Sequence, residues 1–222
     1  MDTVNIRIIA RMHSDFSTKF GIPRQSGLVE SLHSTIVFEP EFRNADALRG
    51  IEDFSHLWII WQFSEAVRQR WSPTVRPPRL GGNARRGVFA TRSPYRPNAL
   101  GLSCVELSGI ENGDILVKGA DLLDGTPIFD IKPYLPYVDA HPEARGGFTE
   151  QTAAYALEVQ CPQPLLDKLP ENKRAALLGV LKNDPRPAYQ HDPDRVYAMD
   201  FGGYRVQFQV GESMLTVIDI QK

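Results

Sequence analysis

The run Leu100–Lys118, LGLSCVELSGIENGDILVK, holds two short strand-like segments, Leu100–Leu107 and Ile115–Lys118. It sits inside residues 73–142, which contain nine of the seventeen prolines with glycines spread between them. Proline has no amide hydrogen and its ring clashes with the preceding helical turn, so long helices are disfavoured here. Short strands joined by tight turns are expected, the pattern of a β-barrel or sandwich. Upstream, the β-branched residues 4–12, interrupted by Arg7 and Arg11, predict a strand, and Gly27–Phe38 one or two more. A loop at Ile22–Gln25 separates them. Asn44 reads as the N-cap of a short helix, Ala45–Arg49, ended by Gly50, and His56–Ser64 as a fully buried strand. Downstream, His141–Gly147 reads as a linker, which puts a domain boundary near residue 145. A helix follows at Glu171–Lys182, with Pro170 before it and Asp184-Pro185 after it. Three strands, Val196–Phe201, Tyr204–Val210 and Ser213–Ile220, then form a meander through Gly202-Gly203 and Gly211-Glu212. The expected fold is mainly β, with an α+β addition at the carboxyl end.

At 222 residues and 42% hydrophobic, the chain is long enough to bury a core without metal or disulfide staples. With 25 Lys and Arg against 27 Asp and Glu, a uniformly basic, histone-like protein is excluded, though a local basic face is not. Cys104 and Cys161 are too few for a disulfide framework or a zinc site and predict two thiols in a reducing compartment. The opening MDTVNIRIIAR has an acid at position 2 and charges within its apolar stretch, unlike a secretory signal. The longest apolar run, Leu57–Trp61, is far too short for a membrane span. A cytoplasmic protein without membrane contact is expected.

Charge is least even over residues 66–105, where Arg68, Arg70, Arg76, Arg79, Arg85, Arg86, Arg92 and Arg96 occur with no lysine and no acid. The planar guanidinium fork pairs two-point with phosphate or carboxylate, so this choice over lysine points to an anionic partner. For any single arginine, solvated surface or an acid elsewhere in the chain is the plainer reading. Leu80-Gly81-Gly82-Asn83-Ala84-Arg85-Arg86-Gly87 offers backbone that a ligand can approach, and Arg92-Ser93-Pro94-Tyr95-Arg96-Pro97-Asn98 is a proline-stiffened polar loop. Neither matches a Walker loop, and no Gly-x-Gly-x-x-Gly occurs, which disfavours a Rossmann-type site. If Ile128–Lys132 is a strand, its period of two sends Ile128, Asp130 and Lys132 to one face and Phe129 and Ile131 to the other. A same-face acid and base suits proton transfer or ligand anchoring, and equally a plain ion pair. The five histidines lack the spacing of a helical metal site, so no metal is implied. Cys104 reads as a small core residue. Trp58, Trp61 and Phe63 also read as core, with Phe63 beside Ser64 placed to line a pocket.

Longer motifs carry a resemblance. Gly87-Val-Phe-Ala-Thr-Arg-Ser-Pro-Tyr-Arg-Pro-Asn-Ala-Leu-Gly-Leu-Ser103 and Asp121-Leu-Leu-Asp-Gly-Thr-Pro-Ile-Phe-Asp-Ile-Lys-Pro-Tyr-Leu-Pro-Tyr137 closely resemble the TrmO family, also called TsaA-like or VirR-like. Pro23-Arg24-Gln25, Arg49–Trp58, Arg76–Asn83 and Asp184-Pro-Arg-Pro-Ala-Tyr189 extend the match over most of the chain. Ala99 departs from the family's usual second proline. The resemblance implies a single-sheet, non-Rossmann barrel over 1–145 that holds cofactor and catalysis, and a small α+β domain over 146–222 as a further tRNA contact. It also implies a homodimer with the active site near the subunit interface, acting on tRNA and not DNA. The implied reaction is methyl transfer from S-adenosylmethionine to the exocyclic nitrogen of threonylcarbamoyladenosine beside the anticodon.

By motif position, Pro23, Arg24, Gln25, Phe63, Ser64, Arg92, Leu102, Asp121, Leu122 and Asp124 are the implied cofactor neighbours. Arg92, Asn98, Asp130, Lys132 and Tyr134 are the implied catalytic and substrate-positioning groups. Two other readings use the same residues: a non-catalytic nucleotide- or RNA-binding barrel, and a small hydrolase built on Asp130 and Lys132. Binding of S-adenosylmethionine separates the first from the enzyme, and the hydrolase lacks a convincing nucleophile.

Overall fold

A computed structural model describes residues 3–77, 84–186, 190 and 192–222. Arg79, the Leu80–Asn83 part of the glycine-rich loop, Pro187–Tyr189 and His191 lie outside that set. Six strands close on themselves in the order β1 (Ala10–His13), β2 (His33–Phe38), β7 (Asp114–Lys118), β6 (Leu100–Glu111), β3 (His56–Gln62) and β8 (Pro127–Pro133), all pairs antiparallel. A two-stranded ribbon of β4 (Thr74–Val75) and β5 (Arg86–Gly87) stands apart. The chain then runs through the short α1 (Pro136–Asp139) to a four-stranded sheet ordered β10 (Tyr197–Phe201), β11 (Tyr204–Val210), β12 (Met214–Gln221), β9 (Glu158–Gln160). The one-turn α2 (Gln163–Leu166) and the longer α3 (Glu171–Lys182) accompany it.

Strand alternation builds the barrel core. In β3 only Leu57, Ile59 and Trp61 are buried, while Trp58 and Ile60 lie half-buried on the outside. The reading of His56–Ser64 as a fully buried strand is therefore corrected: a barrel strand has one inner face, and Trp58 belongs to the other. Cys104 is likewise outside, opposite Trp58, not in the core. In β8 a bulge opposite Ile60/Trp61 absorbs Phe129. Ile128 and Ile131 therefore both pack inward, and Asp130 and Lys132 share the outer face without Ile128. The expected strand at residues 4–12 is in the sheet only from Ala10, and Val4 and Ile6 are exposed.

Gly101 faces Trp61 across the β6–β3 ladder, and a methyl group on it would lie 2.2 Å from the indole. Trp61 cannot yield easily, because its N–H donates to Ser103 Oγ at 2.9 Å and its ring packs 4.2 Å from that of Phe63. Gly101→Ala is therefore expected to destabilise the protein by about 1–3 kcal/mol through overpacking, seen as a lower urea midpoint. An unchanged midpoint would show that the indole moves freely.

The second core is not built from carboxyl-terminal residues alone. Phe16, Val29 and Leu32 are buried in it with Leu177, Val180 and Leu181 of α3 and Phe201, Val206 and Phe208 of the sheet. The Phe16 ring meets Phe201 edge-on at 5.6 Å, and Val29 fills the space over Gly179 of α3. Lys173 of α3 pairs with Asp15, and the Gly202 N–H donates to the Asp15 carbonyl at 2.8 Å. Residues 14–32 thus form a strap whose buried apolar side chains belong to the second unit. Its backbone also joins the barrel, through Gly27 N–H to Gly119 O and Gly119 N–H to Leu32 O, both 2.9 Å. Both residues of the Gly202-Gly203 turn have positive φ, as a two-residue hairpin with right-handed strand twist needs. The next connection is longer than the expected pair Gly211-Glu212: Val210 pairs with Leu215, and Gly211 N–H bonds to Met214 O.

Candidate active site

The β7 strand pairs with β6 only from Glu106 onward, so the Leu100–Val105 half of β6 would expose a free edge. The strap fills it. Ser26 Oγ accepts from the Cys104 N–H at 3.1 Å, and Asp121, just beyond β7, accepts from Ser103 Oγ at 2.6 Å. Ser103 in turn accepts from the Trp61 indole, giving a fixed line from barrel core to Asp121. Burial pushes the Asp121 carboxyl up, against the opposing pull of the Ser103 hydroxyl, backbone N–H groups and the Arg92 charge. A desolvated carboxylate next to an exposed guanidinium is costly unless something uses it.

Arg92 donates to the Gln25 side-chain oxygen, and the Gln25 amide donates to the Arg24 carbonyl. Arg24 reaches the Arg186 carbonyl at 3.5 Å. There, Asp184 holds Arg186 at 3.0 Å and accepts from Tyr155 at 2.7 Å, in a nearly buried ion pair that sequence reasoning gave no role. Its only signal in the sequence is the Asp-Pro-Arg run itself. Ser26, Ser103 and Trp61 are further residues of the site that the sequence did not reveal, because their parts depend on how strap and barrel meet.

The structure thus brings Gln25, Arg92 and Asp121 together where the strap crosses β6, while Pro23 is buried and lines a small cavity with Asp184 and Pro185, and Phe63 packs on Trp61. Ser64 is exposed at the start of the turn after Phe63. Leu122 is fully buried in the barrel core, so its side chain touches no ligand. Asp124 is held by the Ser14 N–H at 3.1 Å and lies near His13, within a turn contact of its own. Of the remaining candidates, Leu102, Asp130 and Lys132 line the outer sheet face. Leu102 and Asp130 flank Ile60, and Cys104 and Lys132 flank Trp58. Lys132 pairs with Asp130 at 2.9 Å, and the Tyr134 ring lies 5.7 Å from that of Trp58. Asn98 is exposed, its carbonyl accepting from the Leu100 N–H at 2.7 Å. Asp139 accepts from both the Leu135 N–H and the Trp58 indole, bonds that hold its carboxyl below the usual range.

Of the eight arginines in residues 66–105, seven are described, and among the described residues none of the seven pairs with an acid. None of the seven is held in an ion pair with a described residue, although the Arg92 charge acts on the nearby Asp121 carboxyl. Arg96 is braced by the Thr91 carbonyl at 3.1 Å and Arg68 lies 3.8 Å over the Tyr95 ring.

The whole architecture is similar to that of solved β-rich proteins of this size. A crystal structure of TrmO from Pseudomonas aeruginosa is 32% identical, each chain covers 100% of the other, and the TM-score is 0.80. Another crystal structure of TrmO is 31% identical at a TM-score of 0.81, again with 100% of both chains covered. A closed antiparallel barrel strapped to a second α+β sheet is thus the class of protein the fold defines. The tRNA-methyltransferase O N-terminal domain matches residues 11–140 and the TrmO C-terminal domain residues 148–222, and the chain belongs to the TrmO family. The tRNA (adenine(37)-N6)-methyltransferase of Escherichia coli is 39% identical over 233 residues, spanning 100% of this chain and 99% of the relative. A Pyrococcus abyssi protein named as a probable S-adenosyl-L-methionine-binding protein is 35% identical over 145 residues, covering 65% of this chain and 76% of its own.

Proposed function

We propose that this enzyme transfers a methyl group from S-adenosylmethionine to the exocyclic nitrogen of the tRNA adenine at position 37, the position in the name of its Escherichia coli relative. In the finer reading that base already carries a threonylcarbamoyl group, and the enzyme works in the cytoplasm as a homodimer with its site near the subunit interface. Residues 1–145 supply cofactor binding and catalysis and residues 146–222 a further tRNA contact, a division supported by the gap between the two matched domains. No helix among the described residues is long and apolar enough to cross a membrane.

The observation that carries the reading is the meeting of a desolvated carboxylate, Asp121, with the Arg92 guanidinium where the strap crosses β6. S-adenosylmethionine has two positive centres and one carboxylate. Asp121 fits the former and Arg92 the latter, while Phe63 over Trp61 offers a face for a planar ring. Pro23, Arg24, Gln25, Ser64 and Leu102 complete the proposed contacts, with Leu122 and Asp124 shaping the backbone beside them. When bound, the cofactor supplies an electrophilic methyl on a sulfonium with a neutral leaving group, so alignment is the chain's main task. A nitrogen conjugated to a carbamoyl group is a poor nucleophile until it loses its proton. Asp130 or Tyr134 accepts that proton, and Lys132 or Arg92 stabilises the resulting anion, with Asn98 positioning the substrate. The exposed Leu102, Tyr137 and Val138 on the same outer face support a subunit contact there.

Mass spectrometry of adenosines from tRNA incubated with protein and S-adenosylmethionine tests this. A mass gain on threonylcarbamoyladenosine, absent from tRNA lacking that group, is expected; no gain on either tRNA refutes it. Asp130→Ala is expected to stay folded, since its ion pair is exposed, and to lose methyl transfer by about 100-fold or more. Wild-type turnover would remove Asp130 from the mechanism. Affinity for tRNA is expected to fall with salt, log K against log salt having a slope of about −0.7 to −0.9 per phosphate neutralised. A flat dependence would take the arginines off the RNA.

A further inference from the structure

Two large aromatic side chains face solvent where the chain can least afford a bare apolar surface. Trp71 is 52% and Phe89 74% exposed, yet their rings face each other at 6.1 Å and 35°. The ribbon sets this pairing. Thr74 lies opposite Gly87 and Val75 opposite Arg86, and the Val88 N–H donates to the Pro73 carbonyl at 2.9 Å. The Ser72 hydroxyl bonds to Thr74 O at 2.8 Å, and Val88 is buried. Both aromatics are therefore carried on a braced hairpin, and neither tops a hydrophobic core.

The surroundings select the occupant. Arg70 precedes Trp71, and Arg76, Arg85 and Arg86 flank the ribbon, all exposed and, among the described residues, without an acidic partner. An apolar protein partner would leave those guanidinium groups desolvated and unpaired, and a second copy of this surface would set like charges against each other. Single-stranded RNA meets both demands, because it carries flat π faces and phosphates in alternation. The turn that holds Phe89 leads on through the Thr91 N–H to Val88 O bond, 3.2 Å, into Arg92, so the patch is continuous with the candidate site.

We propose that Trp71 and Phe89 form a stacking platform for an unpaired base of the tRNA loop, with the neighbouring arginines on its phosphates. The proposal rests on the tRNA reading above and adds the mode of substrate capture. Stacking and phosphate pairing differ in salt dependence, which makes them separable. Base–aromatic stacking contributes without counterion release, whereas each arginine–phosphate contact steepens the salt slope.

The test uses the full chain and a fluorescent anticodon stem-loop, with binding followed by anisotropy at several salt concentrations. Trp71→Ala and Phe89→Ala are each expected to weaken binding about 10-fold with an unchanged salt slope, and Trp71→Phe to regain most of the loss. Arg70→Ala is expected to lower affinity and make the slope shallower by about one. S-adenosylmethionine affinity should not move in the aromatic variants. Wild-type RNA affinity in both alanine variants overturns the platform. So does a loss accompanied by a change in sedimenting mass, which would assign the aromatics to a subunit contact. If the wild-type protein binds the stem-loop but neither binds S-adenosylmethionine nor methylates tRNA, the parent reading fails and the platform stands. If it methylates tRNA while the aromatic variants bind normally, only the platform fails.

Discussion

Arg92→Ala is expected to lower kcat/KM for methyl transfer by roughly 100-fold or more, the scale on which removing one preorganised donor from developing negative charge acts. The expectation follows from what Arg92 does and does not touch. It is exposed, pairs with no acid among the described residues and donates to Gln25, a neutral acceptor that orients the guanidinium without neutralising it. An arginine so held retains its charge for something absent from the free protein, either the cofactor carboxylate or the substrate anion. Since it anchors no core residue, the variant should keep the wild-type melting temperature. Arg92→Lys keeps the charge but loses the fork, so it should restore only a small part of the rate if the partner is a two-point acceptor. Gln25→Ala leaves the guanidinium in place but untethered and should cost less than Arg92→Ala. If both Arg92 variants turn over at the wild-type rate, the arginine is only surface.

The strands were legible because their signals are local. Tyr204, Val206, Phe208 and Val210 alternate with polar residues, and β11 spans the expected Tyr204–Val210. The helix expected at Glu171–Lys182, between Pro170 and Asp184-Pro185, has those bounds. Asn44 caps the short helical turn at Ala45–Leu48 through its side chain, as its position suggested. What failed locally did so where a partner strand decides. The bulge at Phe129 depends on the register of β8 against β3, and no period within residues 127–133 encodes it. Within the strap the sequence reads as a loop only at Ile22–Gln25 and as strand from Gly27, whereas β2 begins at His33, since Val29 and Leu32 look like barrel residues until α3 and the second sheet are seen covering them. The site splits the same way. Arginine clustering is visible in composition, whereas the Trp61–Ser103–Asp121 line and the Ser26 contact join residues far apart in the chain that only chain closure brings together.

Asp121→Asn is expected to move stability and function in opposite directions. Burial raises the folded-state pKa of this carboxyl, so between the ordinary carboxylate value, about 3.9, and that raised value the folded protein binds more protons than the unfolded chain. Stability from this group is therefore present at low pH and is lost as pH rises through the window, above which the carboxylate is ionised and desolvated. Asparagine removes that charge while its side-chain oxygen can still accept from Ser103 Oγ, so the variant should melt at a higher temperature than wild type at pH values above that window. The gap should close as pH falls below the ordinary carboxylate range, where both side chains are neutral. If the charge is there to meet a cationic cofactor, the same substitution should weaken S-adenosylmethionine binding by about 10- to 100-fold, the range for a hydrogen bond to a charged group. Titration calorimetry and thermal melts on one protein sample decide it. A lower melting point with unchanged cofactor affinity would make Asp121 a structural acceptor for Ser103. A higher melting point with lost affinity would show that the fold tolerates a destabilising charge because the ligand needs it.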